Sequence, residues 1–265
     1  MARTVFGLST AHIAHNTVAE AIDRCVDLGT DAVEFFTKEY NADECREIRE
    51  RARDASLLVD YHAPWHDEHD LGFSARDTAF RSLEQSIARA RLMSARHLIY
   101  HLGLYDMDDP NGRDRAIDQV IDVTHAVEDA LEDSGLVLVY EDNTLVHDPN
   151  PLGDNPRDFQ RLFDAIDHPN VGMILDTGHA HITGYTRAYL EQFGARIRYI
   201  HLDDNGGIGD DHIPPSAGTI DWEQEFEWFA YYGIEPNFAI EFNESYVAGE
   251  LPIFRELAAR HKWER

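Results

Sequence analysis

Eight short apolar runs, each followed by an amphipathic segment, constrain this chain more than any other feature. The runs are Thr4–Leu8, Ala32–Phe36, Leu57–Tyr61, His97–His101, Leu136–Glu141, Gly172–Asp176, Ile197–Leu202 and Phe238–Phe242. They are brief and rich in β-branched and aromatic residues, the pattern of buried strands. Between them lie Val18–Leu28, Ala42–Ala55, Ala75–Met93, Arg113–Glu132, Pro156–Ile166, Arg187–Phe193 and Trp222–Tyr232, and Pro252–His261 closes the chain. In these segments acid and arginine gather on one face, as in surface helices. Asn155 before Pro156 predicts an N-cap with proline at the first helical position. Gly29, Gly135, Gly194 and Gly233 stand where helices should stop before the next strand. Strict strand–helix alternation calls for a parallel sheet, and eight units close one. We therefore expect an α/β fold, a single-domain (β/α)8 TIM barrel over residues 1–265. A doubly wound open sheet is the alternative, but it asks for a glycine-rich first turn, which Gly7-Leu-Ser-Thr is not.

Composition narrows the class. A chain of 265 residues buries a large core without disulfide staples. Cys25 and Cys45 lack CxxC spacing, and Met1-Ala-Arg-Thr-Val-Phe leads directly into a strand with no signal-peptide pattern, so a cytoplasmic protein is expected. No run is long enough to span a bilayer. The net charge is −27, and Lys38 and Lys262 are the only lysines against 50 acidic residues. Acid spread along every predicted helix points to a halophile, where salt screens the self-repulsion. The same charge disfavours a nucleic-acid partner.

Four of the apolar runs end on a carboxylate or imidazole: Glu141, Asp176, His201 and Glu241. A buried strand has no physical reason to end on a charge unless that charge has a partner. Four such ends share one most economically through a divalent cation, whose usual ligands they are. In a barrel, the C-terminal strand ends carry the active site. Other unusual residues sit there too. Glu34 lies in the second run. His62 and Trp65 follow the third, His101 ends the fourth, Asn143 follows the fifth and His179 follows the sixth. Asp210 and His212 lie in the long loop after the seventh. His62, His101, His179, Asp210 and His212 are expected to bind either further metal or substrate. Glu34, Trp65 and Asn143 are expected as substrate or supporting contacts, and Phe36, Trp65 and Trp222 as an apolar wall. The remaining histidines, His12, His66 and His147 among them, carry no assignment.

With these residues in view, the chain resembles the xylose isomerase-like barrel superfamily, and within it the sugar phosphate isomerase/epimerase family. The resemblance rests on Glu141-Asp-Asn, Leu175-Asp-Thr-Gly-His179, His201-Leu-Asp-Asp-Asn205 and Asp211-His212…Gly218-Thr-Ile-Asp-Trp222, in that order. It implies a divalent metal on Glu141, Asp176, His201 and Glu241, with Glu141 and Glu241 also moving a proton through a cis-enediolate. The substrate it implies is a small sugar, sugar phosphate or polyol. Mn2+, Mg2+ or Co2+ suits a mononuclear site and Zn2+ a multinuclear one. Relatives often pair, so a homo-oligomer is among the expectations. The chain departs from the ketohexose 3-epimerases at Asn205-Gly-Gly-Ile-Gly-Asp210, where they carry an arginine.

Endonuclease IV, in the same superfamily, offers a second comparison. Its three-zinc pattern falls on His62, His101, Glu141, Asp176, His179, His201, Asp210, His212 and Glu241. The alternatives to the isomerase are therefore a multi-zinc phosphodiesterase and a barrel that binds sugar without turning it over.

Overall fold

The alternation closes on itself. In the computed structural model, which describes residues 4–132 and 134–261, the strands are β1 (Val5–Ser9), β2 (Ala32–Phe36), β3 (Leu58–His62), β4 (His97–His101), β5 (Val137–Glu141), β6 (Val171–Asp176), β7 (Ile197–Leu202) and β8 (Asn237–Ile240). All pair in parallel, in chain order, and β8 returns to β1. The helices are α1 (Val18–Leu28), α2 (Ala42–Ala55), α3 (Arg76–Met93), α4 (Gly112–His125), α5 (Glu128–Glu132), α6 (Pro156–Ala165), α7 (Thr177–Thr183), α8 (Thr186–Phe193), α9 (Trp222–Tyr232) and α10 (Val247–Arg260). Met1–Arg3, read from sequence as leading into the first strand, and Lys262 lie outside the described residues. Among the described residues no helix is long and apolar enough to cross a membrane.

Local chemistry accounts for the boundaries. Asn155 caps α6 by accepting from the Arg157 amide at 3.0 Å, with Pro156 in the first turn. Gly29 and Gly233 end α1 and α9 in the left-handed region, whereas Gly194 stays right-handed and continues into a 3-10 turn. The segment read as one helix over 113–132 divides into α4 and α5. Near the end of α4, the Thr124 hydroxyl bonds Val120 O at 2.6 Å and the Tyr140 hydroxyl. Helix α10 starts five residues before Pro252 and carries that proline inside it. The third run shifts by one residue, so His62 ends β3 instead of following it.

The pleat then sorts side chains by period two. Leu98, Tyr100, Leu138, Tyr140, Leu175 and Ile200 face outward into one continuous core beneath the helices. Ile99, Val139, Ile174, Tyr199 and Ala239 form a separate cluster inside the barrel. Two residues further along each strand come His101, Glu141, Asp176, His201 and, just past β8, Glu241. The candidate ligands are therefore the uppermost interior layer, resting on a small apolar plug.

Below the plug the interior holds a carboxylate of the opposite kind. Asp60 accepts from the Arg96 guanidinium at 2.5 Å, from His97 Nδ1 at 2.8 Å and from the Tyr199 hydroxyl at 3.3 Å. Burial would raise this carboxyl, but Arg96 and His97 outweigh it and hold it at about 2.

Glu225, in the first turn of α9, is buried and has one carboxylate oxygen with no hydrogen-bond partner. Burial, with Asp221 and Asp204 nearby, raises it from 4.5 to about 8. A carboxyl raised on folding stabilises below its unfolded pKa and loses that contribution as pH climbs through the folded value. Glu225→Gln should therefore melt close to wild type near pH 4.5 and progressively higher than wild type up to pH 8. The expected gap is on the order of a few kcal/mol. Thermal melts across that range check it, and a pH-independent gap would contradict it.

Candidate metal centre

The sheet register brings the four charged strand ends together. His101 lies opposite Glu141, Asp176 opposite His201, and His201 opposite Ala239, two residues before Glu241. His201 Nδ1 lies 3.1 Å from Glu141 Oε1, 3.3 Å from Glu241 Oε2 and 3.6 Å from Asp176 Oδ2. One ligand atom from each of the four lies within 4.8 Å of the others, and all four residues are buried. The other face of His201 is fixed from below, where Nε2 sits 3.0 Å from Glu34 Oε2. A carboxylate on one ring nitrogen turns the other toward the quartet, which is how ligating histidines are oriented. Glu34 is thus a support for His201, deep under the site, and does not line the cavity.

Two further groups adjoin the quartet. Glu141 Oε2 faces His62 Nε2 at 3.1 Å and His101 Nε2 at 3.3 Å, so this one carboxylate joins two ligand sets. On the other side, Asp210 Oδ2 faces His179 Nε2 at 3.4 Å and His212 Nε2 at 3.3 Å. His62, His179 and His212 each place Nδ1 on a backbone carbonyl: Ala63 O at 3.0 Å, Asp142 O at 2.9 Å and Glu241 O at 2.9 Å. A carbonyl only accepts, so Nδ1 carries the proton and Nε2 is turned toward a carboxylate. Every residue of the nine-position pattern therefore stands around the barrel mouth.

The electrostatics fit cations. Among the described residues, the ion pairs of Glu141, Asp176, Asp210 and Glu241 are all with histidines. Buried oxygens of Asp142, Asp176, Asp203, Asp210 and Glu241 have no hydrogen-bond partner, although buried polar atoms normally find one. Burial alone would lower His201, but Glu241, Glu34 and Glu141 hold it well above its ordinary value. Burial would raise Glu141, yet His101 and His201 hold it well below the usual carboxylate range. Burial raises Glu241 to about 7, with Glu34 and Glu141 adding to the effect against His201. His101 moves the other way: burial, with His62, His179 and His201, lowers it to about 3.

Above the candidate ligands lies a cavity of about 440 Å3, with Phe36, Trp65, His66, Asn143, His147 and Asp148 among its walls and, among the described residues, no lysine or arginine in its lining. Trp65 packs on His101 with ring centres 4.5 Å apart and on Phe36 at 5.7 Å. Asn143 Nδ2 is 3.4 Å from His101 Nδ1. Trp222, expected in this wall, is elsewhere. It packs on Phe254 and Phe226 outside the barrel and donates Nε1 to Asp204 at 2.8 Å. Asp204 also accepts from the Thr219 and Ile220 amides, at 2.9 and 3.1 Å, and so folds the β7–α9 loop back on itself. The turn needs Gly218, where a Cβ would lie 2.0 Å from Asp204 Cγ. Asp176 both caps α7, accepting from the His179 amide at 2.7 Å, and keeps Oδ2 for the quartet. Sequence reasoning missed His147, whose Nε2 is 2.8 Å from Asp210 Oδ2, and His12, whose ring packs on His212 at 5.0 Å. The usable signal was their place on loops at the C-terminal face.

Known proteins agree with this architecture. An uncharacterized protein of Methanocaldococcus jannaschii is 22% identical over 247 residues, covering 89% of this chain and 83% of that protein. The structure of a D-tagatose 3-epimerase-like protein superposes with a TM-score of 0.85 at 20% identity, covering 97% of this chain and 98% of the other. D-psicose 3-epimerase from Clostridium cellulolyticum H10 superposes with a TM-score of 0.79 at 14% identity, covering 96% and 99%. Identities this low speak for the fold alone. The model of the family described as xylose isomerase-like TIM barrel matches residues 22–261, nearly all of the chain, and the protein belongs to that family.

Proposed function

We propose that the protein is a metal-dependent isomerase or epimerase of a sugar, a sugar phosphate or a related polyol. The observation that carries this reading is the quartet Glu141, Asp176, His201 and Glu241, buried together with orphaned carboxylate oxygens and, among the described residues, with no lysine or arginine in its ion pairs. When bound there, Mn2+, Mg2+ or Co2+ would polarise the substrate carbonyl and neighbouring hydroxyl and so favour the cis-enediolate. Glu141 and Glu241 flank His201 and divide the proton work: one takes the proton from the carbon beside the carbonyl and the other returns it. Trp65 and Phe36 supply an apolar wall and exclude water, while Asn143 and His179 are placed to hydrogen-bond hydroxyls. Among the described residues no lysine or arginine lines the cavity, which favours an uncharged sugar or polyol over a phosphorylated one. The names of the structurally similar 3-epimerases point the same way.

A second reading has its own support, because His62, His101, His179, Asp210 and His212 join the quartet at the mouth as in a three-zinc phosphodiesterase. Metal content separates the two. Protein purified without added metal should hold a divalent ion at the quartet, and chelator should abolish exchange of substrate hydrogen with 2H2O across a panel of free ketoses. Mn2+ or Co2+ should restore it. Glu241→Gln and Glu141→Gln, each saturated with metal, should lower deuterium wash-in by about 10²–10⁴-fold by NMR. Wash-in at wild-type rates in both variants would end the isomerase reading. Cleavage of a phosphodiester by protein holding three zinc ions would replace it with the hydrolase.

The acidic surface supports a halophilic, intracellular setting. Raising KCl from 0.1 to 2 M, far beyond the concentration at which surface repulsion is screened, should lift the melting temperature by roughly 10 °C or more. A flat or falling Tm would remove the halophile reading.

A further inference from the structure

A second cavity, of about 300 Å3, lies on the flank of the barrel between the start of α1 and the start of α2. It shares no lining residue with the cavity at the mouth. Its volume is at the low end of ligand pockets, which run from roughly 300 to 1,000 Å3. Phe35 and Val18 give it an apolar lining. Tyr40 lines it too and is only 5 % exposed, yet among the described residues its hydroxyl has no hydrogen-bond partner. A buried tyrosine normally finds one. Lys38, one of the chain's two lysines, has Nζ 5.0 Å from the centre of the Tyr40 ring. The turn that carries Lys38 is fixed in shape. Thr37 holds φ of 39°, a conformation that β-branched residues avoid. Its amide donates to His62 O at 2.8 Å, and Lys38 O accepts from the Tyr61 hydroxyl at 2.9 Å.

The charges in this cavity cancel. Glu44 pairs with Lys38 at 2.6 Å, and Glu47 pairs with Arg51 at 2.6 Å. An anionic ligand would meet a lysine already engaged by a carboxylate, and a cationic ligand would meet two carboxylates already neutralised. What remains is a mixture of donors and acceptors. Lys38 has three N–H groups, and Glu44 takes one. The Asn16 side chain has no partner among the described residues and offers both a carbonyl and an amine. His15 Nδ1 donates to Ile13 O at 3.0 Å, so Nε2 of the neutral ring accepts. The Tyr40 hydroxyl can do either. A ligand hydroxyl also donates and accepts, so a run of hydroxyls matches this set where an ion does not. We propose that the cavity bounded by His15, Asn16, Lys38 and Tyr40 is a second binding site, for an uncharged polyhydroxylated molecule of monosaccharide size. None of these four residues belongs to the quartet or to the other candidate metal groups, so binding there needs neither metal nor turnover.

Amide-resolved NMR of the full-length protein in Mg2+ tests this, because the two cavities report through different amides. Titration with myo-inositol, glycerol or D-fructose should shift the amides of residues 15–18 and 38–47 saturably with at least one of the three, whatever happens at the mouth. Tyr40→Phe removes only the hydroxyl and should weaken that response by about fivefold, the share of one hydrogen bond. Asn16→Ala, at an exposed position, should weaken it by a similar factor. Neither variant should change the response of the amides around Trp65 and Asn143. No saturable shift at residues 15–18 and 38–47 with any of the three compounds would overturn the site. So would a response of wild-type strength in both variants. Tighter binding of a myo-inositol phosphate than of myo-inositol at the same amides would overturn the uncharged ligand. The isomerase reading stands or falls separately, on deuterium wash-in.

Discussion

Buried carboxylates whose ion pairs, among the described residues, are all with histidines govern the upper half of this barrel. Removing a carboxylate from water costs several kcal/mol unless a counter-charge compensates. At the lower end of the barrel that need is met by Arg96, which with His97 neutralises Asp60 in place. At the mouth it is met by histidines held by backbone carbonyls and by Glu34, with several carboxylate oxygens left over. The two ends of one barrel thus show the same physical problem with two answers. An arginine closes the lower site permanently. Imidazoles turned inward beside unpartnered carboxylate oxygens leave the upper one suited to a cation.

The pleat explains how this arrangement is built. Ile99, Val139, Ile174, Tyr199 and Ala239 form a small interior plug, and two residues further along each strand is a candidate ligand. The plug keeps water out from below, while the helices bury the outward-facing residues of the same strands. The ligands therefore sit at the boundary between a dry core and the cavity. There a charge is expensive enough to be reactive and exposed enough to be reached. Glu141 occupies the centre of this layer, touching His201 with one oxygen and His62 and His101 with the other. A change at Glu141 therefore reaches both neighbouring groups.

The loops complete the site by a different logic. Asp204 and Gly218 fold the β7–α9 segment into a fixed shape, so that Asp210 and His212 arrive beside His179 although they are remote from it in sequence. His147 arrives from another loop entirely. The cavity above is walled by Trp65 and Phe36, and among the described residues no lysine or arginine lines it.

The sequence alone determined the eightfold alternation and the parallel barrel, and it marked the four charged strand ends as candidates. Strand periodicity is a local property, and a charge at the end of an apolar run is visible without coordinates. It also exposed the candidate histidines, because they follow strand ends. It misplaced Trp222, because an aromatic at the start of a helix can face the core or the mouth, and only packing against Phe254 and Asp204 chooses. It left His147 unassigned, because a loop histidine carries no periodicity. Tertiary structure decided these cases, together with the place of Glu34, which lies under His201 and away from the cavity. Contacts between loops depend on how far each returns over the barrel, and that distance is set by long-range hydrogen bonds that no window of sequence contains.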